Sequence, residues 1–207
     1  MTPVPDRRPH DRHLHDPSLQ LAPPGERAGF WLFALTFALP VLITAGAIAA
    51  AVMGGGPLNL VQDSLALTVA LTVGGIAVLC GAMWWGLARL MRRQALELSA
   101  DALELRSSFY RCRMPLAELE LDQARLVDLD ERTEYRPAVK ANGFSIPGCR
   151  SGWFLLRNRR RTFVAIADGR SKLWLPGSGK HDLLLEPRDP AALLQRLREL
   201  ASPSGQR

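Results

Sequence analysis

Two long uncharged segments constrain the fold of this chain more than any other feature. Phe30–Met53 and Ser64–Leu87 contain no Asp, Glu, Lys or Arg. Each is longer than the roughly 20 residues that a helix needs to cross the hydrocarbon core of a bilayer. The first run follows 29 mostly polar residues and exceeds the apolar region of about 7–15 residues found in signal peptides. The sequence therefore predicts two retained transmembrane helices, at 30–53 and 64–87.

The segments around these runs predict a transmembrane hairpin over residues 30–88. Residues 54–63 are short, rich in glycine and free of Lys and Arg, which favours a tight connection. Positively charged flanks stay on the cytoplasmic side of a membrane. Both termini are therefore predicted to be cytoplasmic, with the chain as a multi-pass protein of the plasma membrane. The flanking arginines are Arg7, Arg8, Arg12, Arg27, Arg89, Arg92 and Arg93.

The basic charge lies after the hairpin. Of 26 Lys and Arg and 20 Asp and Glu, the part from Arg89 onward holds 22 and 15, a net charge of +7. Anionic lipid headgroups attract such a segment. Nucleic acid would too, but no helix-turn-helix, zinc-finger or aromatic-basic motif is present, so no nucleic-acid partner is expected. Three cysteines suit a reducing compartment, with a Cys112–Cys149 disulfide as the alternative.

The remaining sequence predicts a β-rich cytoplasmic domain at 89–201, between a disordered tail at 1–29 and a flexible C-terminus at 202–207. Alternating apolar residues indicate a hairpin whose second strand turns Leu103, Leu105, Ser107 and Phe109 inward. Residues 132–152 are expected to be loop. Asp189 and Pro190 predict the start of a closing amphipathic helix. The predicted strands are 95–99, 102–110, 119–129, 153–156, 162–167, 171–176 and 182–187.

Three motifs in this region resemble those of bacterial pleckstrin-homology-like (PH-like) domains that follow one or two membrane helices. They are LELSADALELR at 96–106, PGCRSGWF at Pro147–Phe154 and DLLLEPRDP at 182–190. The resemblance covers roughly Leu90 to Leu200. It implies an α+β membrane protein: a two-helix transmembrane hairpin followed by an antiparallel β-barrel or sandwich, capped by the C-terminal helix. It also implies that this domain lies at the inner face of a bacterial plasma membrane.

Four arginines in the sequence RNRRR form the candidate binding site, at Arg157, Arg159, Arg160 and Arg161. They fall between two strand patterns, so they are predicted to lie at a hairpin tip, and we call 157–161 the arginine turn. Guanidinium groups bind phosphate and carboxylate groups bidentately. Three interpretations stay open: a solvated turn that protects a strand edge, contact with anionic lipid headgroups, or contact with an acidic protein partner.

A second motif is formed by Pro147, Gly148 and Gly152. The glycines permit positive φ and the proline fixes the direction of the chain, so the motif is interpreted as a backbone conformation that lets Trp153 and Phe154 pack. The GSGK segment at 177–180 lacks the spacing of a phosphate-binding loop. No catalytic motif, metal-ligand cluster or cofactor fingerprint is found, so no enzyme, metal or cofactor is expected.

The sequence thus predicts a non-enzymatic, membrane-anchored binding or scaffold module that engages anionic lipid or a membrane-protein partner. The alternative is an accessory subunit of a membrane transporter or secretion assembly. In that case, the transmembrane hairpin itself would bind the partner.

Overall fold

A computed structural model describes residues 19–55, 61–99, 101–179 and 181–201 of the chain. The chain divides into two compact units. The helical unit is Glu26–Leu90, and the β unit combines the residues up to Gly25 with those from Met91 onward.

Two long apolar helices make up the helical unit. The first runs over Glu26–Met53 and the second over Leu65–Met91; only 6% and 0% of their most apolar segments are buried. Both are long and apolar enough to cross a membrane, which weakly suggests membrane association. They extend beyond the predicted runs because the flanking charged residues are also helical. Of the predicted connection at 54–63, residues 56–60 lie outside the described chain.

The first helix changes its winding before Pro40. It consists of α1 (Glu26–Phe33), a π-helical turn (Ala34–Ala38) and α2 (Leu39–Met53), and α3 is Leu65–Met91. Proline lacks an N–H, and its ring crowds the carbonyl four residues earlier. A wider turn at this point relieves that crowding. The irregularity of the first helix therefore follows from its proline.

Two sheets and one α-helix make up the described part of the β unit. The strands are β1 (Gln94–Leu98), β2 (Ala102–Ser107), β3 (Tyr110–Pro115), β4 (Arg125–Asp128), β5 (Pro137–Ile146), β6 (Cys149–Leu156), β7 (Arg161–Ile166), β8 (Ser171–Leu175) and β9 (Asp182–Leu185). The C-terminal helix is α4 (Pro190–Ala201). Strands β1, β2 and β3 form an antiparallel sheet, and the six other strands form a second sheet in the order β4-β8-β9-β7-β6-β5.

Apolar cores lie on both faces of the central strands. Phe163 and Leu183 join a core with the first sheet and α4, whereas Val164 and Leu184 join a second core with Trp174. The sequence of a strand that is buried on both faces is a continuous apolar run, without the alternation of apolar and polar residues. This explains the unbroken FVAI and LLL segments at 163–166 and 183–185.

The predicted α+β architecture, in which a series of strands is followed by one C-terminal helix, is confirmed. The expected all-antiparallel arrangement of the strands is wrong for one pair of strands. Strand β9 lies beside β7 in parallel, with Thr162 opposite Asp182. The helix begins as predicted, since the Asp189 carboxylate accepts the N–H groups of Ala191 and Ala192 at 3.1 and 2.9 Å.

Several predicted strand boundaries are corrected. The expected loop at 132–152 contains β5 and the start of β6, and the expected strand at 119–129 reduces to Arg125–Asp128. The single predicted strand at 102–110 ends at Ser107, because Ser108 and Phe109 form a turn to β3. Phe109 is consequently 49% exposed, not turned inward as predicted.

The end of the predicted N-terminal tail is part of the β unit. Leu19 and Leu21 are buried in the core that contains α4. The Gln20 side chain exchanges two hydrogen bonds with the backbone of Leu96, each 3.1 Å. The structure therefore differs from the expected disordered tail at residues 19–25, and helix α1 begins at Glu26. Residues 1–18, like 202–207, lie outside the described chain.

The buried thiols of the β unit generate a first prediction. Cys112 and Cys149 are free, and burial raises the pKa of each to about 11. Thiolates, not thiols, react with maleimides. In the full-length Cys80→Ala variant in mild detergent at pH 8, we expect both thiols to react at least tenfold more slowly than after unfolding in urea (on the order of the thiolate fraction).

The measurement is a time course of maleimide incorporation, followed by mass spectrometry. Because the unfolded thiols ionise near pH 9 and the folded ones near 11, stability should also fall as the pH rises through this interval. Equal labelling rates in the folded and unfolded protein would contradict the buried positions of these cysteines.

Candidate functional site

The arginine turn connects β6 to β7, as the sequence predicts. The Leu156 N–H donates to the Arg160 carbonyl and the Arg159 N–H donates to the Leu156 carbonyl, both at 3.0 Å. The Asn158 side-chain oxygen accepts the Arg160 N–H at 3.0 Å. Arg159 occupies the left-handed region with φ of 64°, which is uncommon for a residue other than glycine. The turn is thus fixed by its own backbone.

Arg160 is a structural member of the turn. Its Nε donates to Asp182 Oδ2 at 3.0 Å, and its Nη2 donates to Asp182 Oδ1 and to the carbonyl of Gly177, the latter at 3.1 Å. The Asp182 side chain is completely buried, whereas that of Arg160 is 46% exposed. Hydrogen bonding to Asp182 raises the pKa of Arg160. A buried carboxylate without a partner is costly, so Arg160 compensates Asp182 at the start of β9.

Arg161 is also held within the fold. Its guanidinium lies 5.0 Å from the centre of the Trp153 ring, a cation–π arrangement. The Trp153 ring in turn meets Phe163 edge to face, with centroids 5.3 Å apart, and His181 in the same way at 5.0 Å. The Trp153 ring therefore packs among Arg161, Phe163 and His181.

Arg157 and Arg159 remain available to a ligand. Both are exposed, and within the described chain their side chains have no hydrogen bond, ion pair or ring contact. Their backbones are anchored, because the Arg157 N–H donates to the Arg136 carbonyl and the Asn158 N–H to the Glu134 carbonyl, both at 3.1 Å. The structure therefore separates the four predicted arginines into two that stabilise the turn and two that extend from it.

The Pro147 motif shapes the other end of β6. Pro147 and Gly148 connect β5 to β6, and Gly148 has φ of 86°, as the second central residue of a type II turn requires. Gly152 has φ of 114°, and a Cβ there would lie 2.6 Å from the Asn142 carbonyl oxygen. Glycine is therefore required at 152.

Phe154 follows this close approach between β5 and β6. Its side chain is 4% exposed and belongs to the second core, and a Cβ at Gly143 would meet its ring at 2.8 Å. The motif thus acts through packing, since none of its side chains forms a polar site in the described structure.

Both connections to the helical unit leave the β unit near the Pro147 end of β6. The Gly25 N–H, one residue before α1, donates to the Gly148 carbonyl at 3.2 Å. The Ser108 N–H donates to the carbonyl of Arg93, two residues after α3, also at 3.2 Å. The Ser151 hydroxyl donates to the Ser107 carbonyl at 2.8 Å and thereby joins β6 to the β2–β3 turn. We call this region the exit end; it consists of Gly25, Arg93, Ser107, Ser108, Gly148 and Ser151.

The arginine turn lies at the opposite end of the same strand. Ser151 and Arg157 are six residues apart along β6, which corresponds to about 20 Å of extended chain. The predicted arginine site is thus separated from the two chain connections by nearly the full length of a strand.

Two residues near this site differ from their predicted roles. The sequence predicts Asp182 only as part of an apolar strand, whereas it binds Arg160; the signal for this role is a lone acidic residue before LLL. The sequence predicts that Phe109 faces the core, although the two preceding serines are common turn residues.

Comparison of the chain with models of protein families, with curated proteins and with solved structures gives no match.

The division within the arginine turn generates a second prediction. Removing one partner of a buried ion pair costs about 3–5 kcal/mol, and because Arg160 is partly exposed to screening water we expect about 2 kcal/mol for Arg160→Ala. Arg157→Gln and Arg159→Asn should change the free energy of unfolding by less than about 0.5 kcal/mol. Asn is chosen at 159 because it tolerates the left-handed conformation.

Urea unfolding of the detergent-solubilised chain, followed by near-ultraviolet circular dichroism, measures these differences. A similar loss of stability in all three variants, or none for Arg160→Ala, would contradict the assigned roles.

Proposed function

We propose that this chain is a membrane-anchored, non-enzymatic binding module whose β unit is a PH-like domain at the inner face of a bacterial plasma membrane. Two exposed apolar helices support the anchoring, because so much apolar surface must be covered by lipid or by other helices. The cytoplasmic placement is supported by the arginines that flank the helices on both outer sides and by their absence from residues 54–63.

The partner of the arginine turn in this proposal is an acidic segment of another protein. The observation that carries it is the pair Arg157 and Arg159: exposed, without ionic partners in the described structure, and held on a turn whose backbone is fixed. Because the backbone of the turn is already fixed, binding orders only the two side chains, and guanidinium groups bind carboxylates bidentately.

The position of the turn favours a protein over the anchoring bilayer. It lies about 20 Å of strand from the end at which both connections to the helices leave. Anchoring raises the local concentration of a membrane-bound partner, so that a weak ionic contact suffices for binding.

An accessory subunit of a larger membrane assembly is the second candidate. The observation that favours it is the nearly complete exposure of the apolar helices, which other transmembrane helices could cover. In that case association would depend on the helices and not on the arginines.

A third prediction tests the proposal by photo-crosslinking in cells that express the full-length chain. With a photoreactive residue at Asn158, we expect crosslinks to protein that decrease at least fivefold in an Arg157→Gln/Arg159→Asn variant, as loss of roughly 1 kcal/mol of ionic contact implies. Arg170→Gln is the matched control, because it removes an exposed arginine from the turn after β7, at the other end of that strand.

Crosslinks to lipid alone would contradict a protein partner for the turn. Protein crosslinks that persist in the double variant would contradict recognition by these arginines and favour the assembly-subunit candidate.

A further inference from the structure

A second basic feature lies at the exit end, in the hairpin formed by β2 and β3. Ser107 pairs with Tyr110, so Ser108 and Phe109 form a two-residue connection. Ser108 has φ of 55°, the sign that a type II′ turn requires at its first central residue. The turn presents Phe109, which is 49% exposed, while Leu105 and Met114 on the same hairpin are buried. A large aromatic side chain thus projects from the tip.

Two arginines face each other directly behind this tip. Arg106 on β2 pairs with Arg111 on β3, and both are exposed. Like charges in directly opposite positions destabilise a sheet. Neither has an acidic partner in the described structure, whereas Arg113 in the next row lies 3.5 Å from Glu104. The pair is therefore an uncompensated site of positive charge.

The chain connects this hairpin closely to the end of α3. The helix ends at Met91, and the carbonyl of Arg93 accepts the Ser108 N–H at 3.2 Å. Two residues span at most about 7 Å, so covalent bonds and one hydrogen bond hold the turn within roughly 10 Å of Met91, the residue at which the β unit resumes. Arg92 and Arg93 are themselves exposed and have no ionic partner in the described chain.

We propose that the basic hairpin tip, formed by Arg92, Arg93, Arg106, Phe109 and Arg111, docks on the anionic lipid headgroups of the bilayer that holds the helices. The arginines bind lipid phosphates, and Phe109 enters the interfacial region, where an aromatic ring is stable. This relieves the repulsion between Arg106 and Arg111. The proposal rests on the anchoring part of the proposed function, but not on the arginine turn.

The bilayer is favoured over a soluble acidic protein because of the short connection to α3. A tether of two residues keeps the basic hairpin tip at a high effective concentration beside the surface in which the helix ends. A helix that leaves a membrane places its following residues in the headgroup region, within the Debye length of about 8 Å over which lipid charge acts.

The experiment uses the full-length chain in nanodiscs of phosphatidylcholine, with or without anionic phosphatidylglycerol. Phe109→Cys is labelled with an environment-sensitive fluorophore in a Cys80→Ala background, in which Cys112 and Cys149 are buried. We expect a blue-shifted emission and quenching by spin-labelled lipids in anionic nanodiscs, and a weaker effect at high salt. A label at Asn158 should remain solvent-exposed in both lipids.

Charge variants then test the role of the arginines. At about 1 kcal/mol for each arginine near an anionic surface, Arg106→Ser/Arg111→Ser should lower the ratio of docked to undocked domain about thirtyfold. Arg113→Ser is the matched control, since it removes an exposed arginine of the same strand that is already paired with Glu104, and it should leave docking nearly unchanged.

The proposal would be overturned by a label at 109 that stays exposed in anionic nanodiscs, by docking that is equal in neutral lipid, or by equal effects of the Arg113→Ser and double variants. Contact of the label with a co-purified protein instead of lipid would also overturn it. Slow maleimide labelling of Cys112 and Cys149 shows that each variant is folded.

Flotation of the full-length chain with neutral vesicles distinguishes a failure of membrane anchoring from a failure of hairpin docking. A chain that does not float contradicts the proposed function. A chain that floats but shows an exposed label at 109 contradicts only this inference.

Discussion

Three hydrogen bonds at one end of β6 determine how the basic surfaces of the β unit are arranged. The bonds between Gly25 and Gly148, between Ser108 and Arg93, and between Ser151 and Ser107 bring both chain connections to that end. Because β6 is extended, the turn at its other end lies nearly a full strand away. Two basic clusters are therefore held apart within the β unit, as required if one binds the bilayer and the other a protein partner, as we propose.

Two buried carboxylates are paired with basic side chains inside the domain. Asp182 is compensated by Arg160, and its Oδ1 also accepts the Gly177 N–H at 3.2 Å. Glu186 is paired with Lys172 and accepts the N–H groups of Ala167 and Gly169, each at 2.8 Å. Since an unpaired buried carboxylate is strongly destabilising, part of the basic excess is committed to the fold. Counting arginines alone overestimates the charge available for binding.

The sequence predicted the elements that depend on local chemistry. The uncharged helices, the first hairpin, the hairpin tip at 157–161 and the cap at Asp189 all follow from composition, period or turn residues. The strand β5 was missed because a partly exposed edge strand that contains Gly143 and irregular pairing has no clean alternation. The parallel β7–β9 pair and the Arg160–Asp182 bond join residues distant in sequence, so no local pattern indicates them. The PH-like resemblance stays a proposal.

Hydrogen exchange of the full-length chain in anionic and neutral nanodiscs tests most directly which end of the β unit faces the membrane. We expect that anionic lipid slows exchange in peptides that cover the β2–β3 turn at 106–112 and leaves those covering 156–161 unchanged, because only the former lies beside the chain connections. Slower exchange at 156–161 with no change at 106–112 would contradict docking of the basic hairpin tip, since it would place the arginine turn against the bilayer.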